Sequence, residues 1–422
     1  MLRWPARGVR LRVQDATGAT IAEGRADTSG CFKFDDVGVP GQTTFRNVRV
    51  YYDTRVGTRK PGEFVGRIQV RGFFDKPEVD ANTDVSIQFQ NVGFAPGPNN
   101  TYGTSVTIGS GVAPMSISMA SVSHTLHRVD TAMTDNKPAN PPILKVILQN
   151  CQYSAATKWS CMDTLGNRLF LTPDANNGST RRKFVSGHET GHWLDYNWGI
   201  GNTWASSGGI PSYIFASNQQ DDLEEACRFT WVDNGNGGQG SSAHAMRSQE
   251  YQHAAVSEAF AHFMALFSFN EASAAADPEF QYYKKQAASV LPPFVDGSYP
   301  AEDVYFGATT ITSANIAVPY AYLESPQGCD CAANGNCEGT STQMQWMRAY
   351  WWYLLRDEPG GMKPSLSQFF AHMEASSKSG GGVSCSSSVD RCYGAVTAGL
   401  PPSFVTRWQS IGVTMGLATD EP

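Results

Sequence analysis

The string His188-Glu189-Thr190-Gly191-His192 constrains this chain more than any other five residues in it. An α-helix turns once every ~3.6 residues, so side chains four apart share one helical face. On such a face two imidazoles can bind one metal ion. Glu189, beside them, can act as general base toward a metal-activated water. The pattern therefore asks for a helix over these residues. It also asks the rest of the chain for a further ligand, because a hydrolytic zinc takes three protein ligands and keeps one position open.

The approach to that helix reads clearly. Asn176-Asn177-Gly178 makes a turn, and Ser179 or Thr180 can cap the helix that follows. Gly187 and Gly191 sit inside it, each costing up to ~1 kcal/mol against alanine. Glycines there imply a close backbone or substrate, or simply tight packing. Upstream, Met119, Val122, Leu126, Val129 and Met133 follow the three-to-four spacing of one helical face. His124 and His127 lie off that stripe and are expected at the surface. The short apolar runs Ile143–Leu148 and Arg168–Leu171 are bounded by turn residues and are predicted strands.

Residues 6–92 alternate with period two. Val9, Leu11 and Val13 alternate with Arg10, Arg12 and Gln14; Val48 and Val50 with Asn47 and Arg49; Val85, Ile87 and Phe89 with Ser86, Gln88 and Gln90. With turns such as Asp27-Thr28-Ser29-Gly30, this predicts half-buried strands in a β-sandwich. The segment from Gly24 to Phe32 resembles the turn of transthyretin-like (carboxypeptidase regulatory-like) modules, which implies an accessory role. Phe94 to Thr104 is rich in Pro, Gly and Asn and reads as a linker. The expected organisation is a β-sandwich over 1–92, a linker over 93–104, and a second domain over 105–422.

Within 105–422, a loop-rich insertion spans about 198–245. Its Asp221-Asp222-Leu223-Glu224-Glu225 reads as a solvated face, with a Ca²⁺ site as the sharper alternative. Helices are expected over 246–269, 343–356 and 366–373, with Trp346, Tyr350 and Trp351 as core. Ser376–Ser388 reads as a loop. The fold class is α+β: strands first, then a mainly helical C-terminal part.

The third ligand is sought in two places. An extended three-histidine motif would need Gly at 195 and His at 198. The chain has Asp195 and Trp198, which excludes it. The other source is Ser257-Glu258-Ala259-Phe260-Ala261-His262 on a second helix. An H-E-x-G-H helix followed by an E-[GA]-F-A helix resembles the gluzincin metallopeptidases, over perhaps residues 115–270. The resemblance implies a zincin-like catalytic domain. It assigns His188, His192 and Glu258 as Zn²⁺ ligands and Glu189 as general base. It also implies that an edge strand lines the cleft, and Arg168–Leu171 is the candidate. Many gluzincins place an Asp four residues after the ligand Glu, where it orients a zinc-binding His. Here that position is His262. An orienting role, an oxyanion-stabilising role and a packing role are all open to it. Weaker candidates for the site are Glu224, Glu225, Glu250 and Tyr251, while His244 and His253 read as surface residues.

Charge and cysteine content narrow the class. A net charge of −7 and the absence of a basic patch with interleaved aromatics argue against nucleic acid as partner. The densest basic run, Arg181-Arg182-Lys183, reads as a solvated helix face. No apolar run approaches the ~20 residues that span a bilayer, and Met1–Arg10 lacks the apolar core of a signal peptide. Nine cysteines, with Cys151/Cys161 and Cys385/Cys392 bracketing short loops, suggest disulfides in an exported protein, secreted or held at the cell surface or in the periplasm. Cys329, Cys331 and Cys337 cluster in a turn without an obvious fourth metal ligand. The expected activity is zinc-dependent hydrolysis of a peptide or protein substrate. The alternatives are a degenerate zincin that binds or adheres, and a zinc hydrolase of non-peptide amides or esters. No feature sets an oligomeric state.

Overall fold

The computed structural model describes residues 8–27, 30–34, 37–38, 41–56, 66–73, 86–97, 102–104, 113–133, 144–148, 160–163, 167–171, 179–198, 252–269, 343–354, 361–378, 392–415 and 417. Their contacts divide the chain into two compact units, Met1–Thr131 with Lys137–Glu189, and Ala132–Asn136 with Thr190–Pro422. The class is α+β, with an N-terminal antiparallel sheet and several helices.

The first unit is built on β1 (Val9–Gln14), β2 (Thr20–Arg25), β3 (Thr44–Val56), β4 (Gly66–Phe73) and β5 (Ser86–Pro96). The alternation read in the sequence is the alternation of burial: Val9, Leu11, Val13, Val48 and Val50 are all buried on one face. On the opposite face Arg10 and Arg12 lie over the ring of Tyr51, with the Arg10 guanidinium 3.9 Å from its centroid. Glu23, across from Arg12 in register, accepts from its Nε at 2.7 Å. The β1–β2 turn is held by Asp15, whose Oδ1 accepts from the backbone N–H of Thr17 and of Ala19, both at 2.9 Å, while Gly18 takes the φ of +89° that the turn requires.

β3 is long and serves three partners. It pairs with β1 along one side; along the other it pairs with β5 through Thr44–Tyr51 and with β4 through Asp53–Val56. The Phe45 ring lies over Gly93, its partner in register, and is 61% exposed there. The Pro/Gly/Asn-rich stretch holds the end of β5 and the short β6 (Tyr102–Gly103), joined by Ala95 and Gly103 in register.

The sheet continues beyond β4. β7 (Leu144–Leu148) pairs with β4 in parallel, β9 (Arg168–Phe170) pairs with β7 in parallel, and β8 (Cys161–Asp163) folds back antiparallel onto β9. The path is β2-β1-β3-β4-β7-β9-β8. This corrects the reading of Arg168–Leu171 as the edge. Asn167, with φ of +50°, turns the chain so that Cys161–Asp163 covers β9, and Arg168 Nε donates to Asp163 Oδ2 at 2.7 Å across the pair. Among the described residues β8 is therefore the terminal strand at this end. Cys161 is disulfide-bonded, as is Cys392 in the second unit.

α1 (Ala113–Ala132) buries Met119, Val122, Leu126 and Val129, the stripe read from the sequence. His124, expected at the surface, is buried at 9% exposure: Ser121, Ser123 and Thr125 are buried as well, so the covered face of α1 is wider than its apolar stripe.

The second unit is helical. The C-terminal half of α2 (Ser179–Trp198) enters it, followed by α3 (Gln252–Phe269), α4 (Gln343–Leu354), α5 (Leu366–Lys378), α6 (Cys392–Gly399) and α7 (Pro402–Met415). Its core is aromatic. Phe260 of α3 stacks on Phe369 of α5 and meets Tyr350 of α4 edge-on. Tyr353 of α4 meets Trp408 of α7 edge-on, and Tyr393 of α6 stacks on the same indole. Ser365 and Gln368 open α5 with reciprocal side chain–backbone bonds, the N–H of Ser365 donating to Gln368 Oε1 at 2.8 Å and the N–H of Gln368 to Ser365 Oγ at 3.2 Å. Arg407 of α7 is buried at 1% exposure. It donates from Nε to the Tyr353 carbonyl at 3.0 Å and from an Nη to the Trp352 carbonyl at 2.6 Å, closing the C-terminal end of α4.

The inferred insertion over about 198–245 lies outside the described residues beyond its first position, as do Cys151, Cys329, Cys331, Cys337 and Cys385. No helix among the described residues is long and apolar enough to cross a membrane.

Candidate metal centre

α2 carries the motif as one unbroken helix from Ser179 to Trp198, and the division between the two units falls inside it, after Glu189. His188 and His192 are one turn apart on it. α3 meets the second half of α2 at Gly191. A β-carbon built on Gly191 would stand 2.6 Å from the Cα of Ala261 and 2.8 Å from its carbonyl oxygen, closer than such atoms approach. The glycine inside the motif is there because another helix backbone occupies the space. Of the readings the sequence left open, this is the close backbone.

That approach brings Glu258 to the histidines. Its Oε2 lies 3.4 Å from His192 Nε2. One ligand atom each from His188, His192 and Glu258 can be chosen so that all lie within 4.8 Å of one another. Two donors bound ~2.0–2.1 Å from one tetrahedral zinc stand roughly 3.4 Å apart, so the His192–Glu258 spacing is that of two ligands of one ion. The donor set, two imidazoles and one carboxylate, also fits zinc chemistry. The side chains of His192 and Glu258 retain 16% and 19% exposure, so the cluster reaches solvent.

The other sequence-nominated residues are placed as follows. Glu189, next to His188, is buried. His262 lies one turn beyond Glu258 on α3, half-buried, and is not among the three grouped side chains. His253 falls in the first turn of α3. Glu224, Glu225, His244, Glu250 and Tyr251 lie outside the described residues.

Two residues beside the cluster were not anticipated from the sequence. Asp195, one turn past His192, is buried at 2% exposure, and its Oδ2 accepts a hydrogen bond from Ser257 Oγ at 2.8 Å. Ser257 immediately precedes Glu258. Tyr350 of α4, fully buried, feels the same carboxylate: burial first, and then the charge of Asp195, push its phenol well above its ordinary pKa. The only signals in the sequence were the position of Ser257 next to Glu258 and of Asp195 one turn from His192.

Comparison with known proteins finds no match for this chain, whether among family models, curated proteins or solved structures.

Proposed function

We propose that this chain is a zinc-dependent metallopeptidase of the gluzincin type, a hydrolase of peptide or protein substrates. The observation that carries the reading is the convergence of His188 and His192 on α2 with Glu258 on α3. Bound by these three residues, zinc would supply Lewis acidity, lowering the pKa of a water toward ~7 and polarising the scissile carbonyl. Glu189 receives the proton of the attacking water and returns it to the departing amine. Its burial keeps that carboxylate out of bulk water, where a proton transfer would have to compete with solvent. The oxyanion that develops on the carbonyl needs a further donor, and His262, one turn from Glu258, is the nearest candidate along α3.

In the same reading the N-terminal strands are an accessory β module whose sheet runs on through β4 into β7, β9 and β8 of the zincin-like part. The protein works outside the cytosol, secreted, periplasmic or at the cell surface. The disulfides at Cys161 and Cys392 support that placement, because such bonds persist in oxidising compartments.

The test is direct. The purified chain is assayed for zinc content and incubated with a peptide library, with products read by mass spectrometry. Near-stoichiometric zinc and cleavage that a chelator abolishes and added zinc restores are expected. Cleavage that persists after complete zinc removal would sink the proposal. Zinc without any peptide cleavage would favour a binding protein or an esterase instead.

A further inference from the structure

Three contacts between α2 and α3 run in opposite directions along the two helices: Gly191 against Ala261, His192 beside Glu258, and Asp195 bonded to Ser257. Numbers rise on α2 as they fall on α3, so the two helices cross antiparallel over one turn of each. The first contact fixes how near the two backbones lie. It does not fix how α3 is rotated about its own axis. A residue on a helix swings through ~100° relative to its neighbour, so a modest rotation of α3 would carry Glu258 away from His192 while leaving the backbones in contact.

The packing of Phe260 against Tyr350 and Phe369 limits that rotation for the helix as a whole, and the Asp195–Ser257 bond limits it at the turn that carries Glu258. Ser257 is the residue before Glu258, and its hydroxyl is tied at 2.8 Å to a carboxylate one turn past His192. Asp195 is itself held in place by burial, and a buried carboxylate strongly favours keeping its donors. We propose that Asp195 and Ser257 are positioning residues: their hydrogen bond sets the turn of α3 that carries Glu258 against α2 and thereby holds the Glu258 carboxylate at the metal position beside His192. This rests on reading His188, His192 and Glu258 as a metal centre. It goes beyond that reading by assigning the geometry of the third ligand to two residues that do not touch the metal. Outer residues that orient ligands typically contribute 10–100-fold in metal affinity.

The experiment measures zinc affinity by competition with a chromophoric chelator, and the visible absorption of the cobalt(II)-substituted protein, in the full-length chain. The variants are Ser257→Ala, Ser257→Thr, and the double variant Asp195→Asn/Ser257→Ala. The folded fraction of each apo-protein is followed by circular dichroism. Ser257→Ala is expected to weaken zinc binding ~10–100-fold and to alter the cobalt spectrum. Ser257→Thr, which keeps the hydroxyl, is expected to stay within a few-fold of wild type. The double variant also removes the buried charge, so any folding defect of Ser257→Ala that comes from that charge is relieved in it; it should show the same loss of affinity. If the variants without the hydroxyl lower thermal stability yet bind zinc and cobalt as wild type does, the pair is merely structural and the proposal is overturned. If the wild-type chain takes up no zinc at all, the centre itself fails and the positioning role falls with it.

Discussion

Gly191 lies so close to Ala261 that a β-carbon at position 191 would overlap the Ala261 backbone at 2.6 Å. The atoms it would meet are main-chain atoms and cannot rotate aside. Gly191→Ala gains up to ~1 kcal/mol in helix propensity but forces α2 and α3 apart, an overpacking that costs about 1–3 kcal/mol. The variant is expected to be less stable than wild type by about 1–2 kcal/mol in urea unfolding and to bind zinc more weakly, because Glu258 moves with α3. A stability equal to or above that of wild type would show that the helices are not seated as described.

Glu189 and Glu258 are both carboxylates near the two histidines, but different losses are expected from them. Glu189→Gln should retain zinc while cleavage falls ~10²–10⁴-fold, the usual contribution of a positioned base. Glu258→Gln should lose zinc first and activity as a consequence. Metal analysis of the two purified variants separates the roles. If Glu189→Gln emerged zinc-free, or Glu258→Gln fully loaded, the assignments would have to be exchanged.

His372 makes stability depend on pH. Its Nδ1 shares a hydrogen bond with the Tyr353 hydroxyl at 2.9 Å, and burial lowers its pKa from 6.5 to about 4. Between those values the folded imidazole is neutral while the unfolded one takes a proton. The unfolded state binds more protons there, so stability rises with pH. The contribution is complete above about 6.5, declines as pH falls toward 4, and stays lost below. Urea midpoints measured from pH 4 to 8 should show this slope, and His372→Gln should flatten the part due to this residue. An unchanged slope in the variant would assign it elsewhere.

Arg407 closes the end of α4 by donating to the carbonyls of Tyr353 and Trp352 from a buried position. Hydrogen bonds from a charged donor are worth about 1.5–3 kcal/mol each. Arg407→Leu is expected to destabilise the chain by about 3–6 kcal/mol, with Arg407→Lys intermediate because an ammonium cannot reproduce the guanidinium fork. Thermal unfolding of both variants measures it, and a leucine variant as stable as wild type would contradict the capping role.

What the sequence made legible was what repeats along it. The alternation around Val9–Val13 and Val48–Val50, the stripe from Met119 to Met133 and the spacing of His188 and His192 are all periodic, and each matches the element that forms there. Glu258 was found through a resemblance between short motifs rather than through any period. The strand at Cys161–Asp163 was missed because three residues carry no periodicity. With it went the identity of the strand at the sheet's end. Ser257 and Asp195 are 62 residues apart, and a single hydrogen bond across that distance leaves no trace in local pattern. His124 was misplaced because its neighbours are small and polar and yet buried.

β4 and β7 are adjacent in the sheet although the whole of α1 separates them in sequence. A chain shortened to begin after the Pro/Gly/Asn-rich stretch would lose β4 and leave the N–H and C=O groups of Leu144–Leu148 along that side without their ladder. A bare parallel strand in which Lys145 is the one charged residue among Leu144, Val146, Ile147 and Leu148 is a template for joining other chains. Trimming the N-terminal strands to isolate the motif-bearing part should therefore yield self-associating material, and a soluble fragment carrying the motif will need its borders drawn upstream of β4.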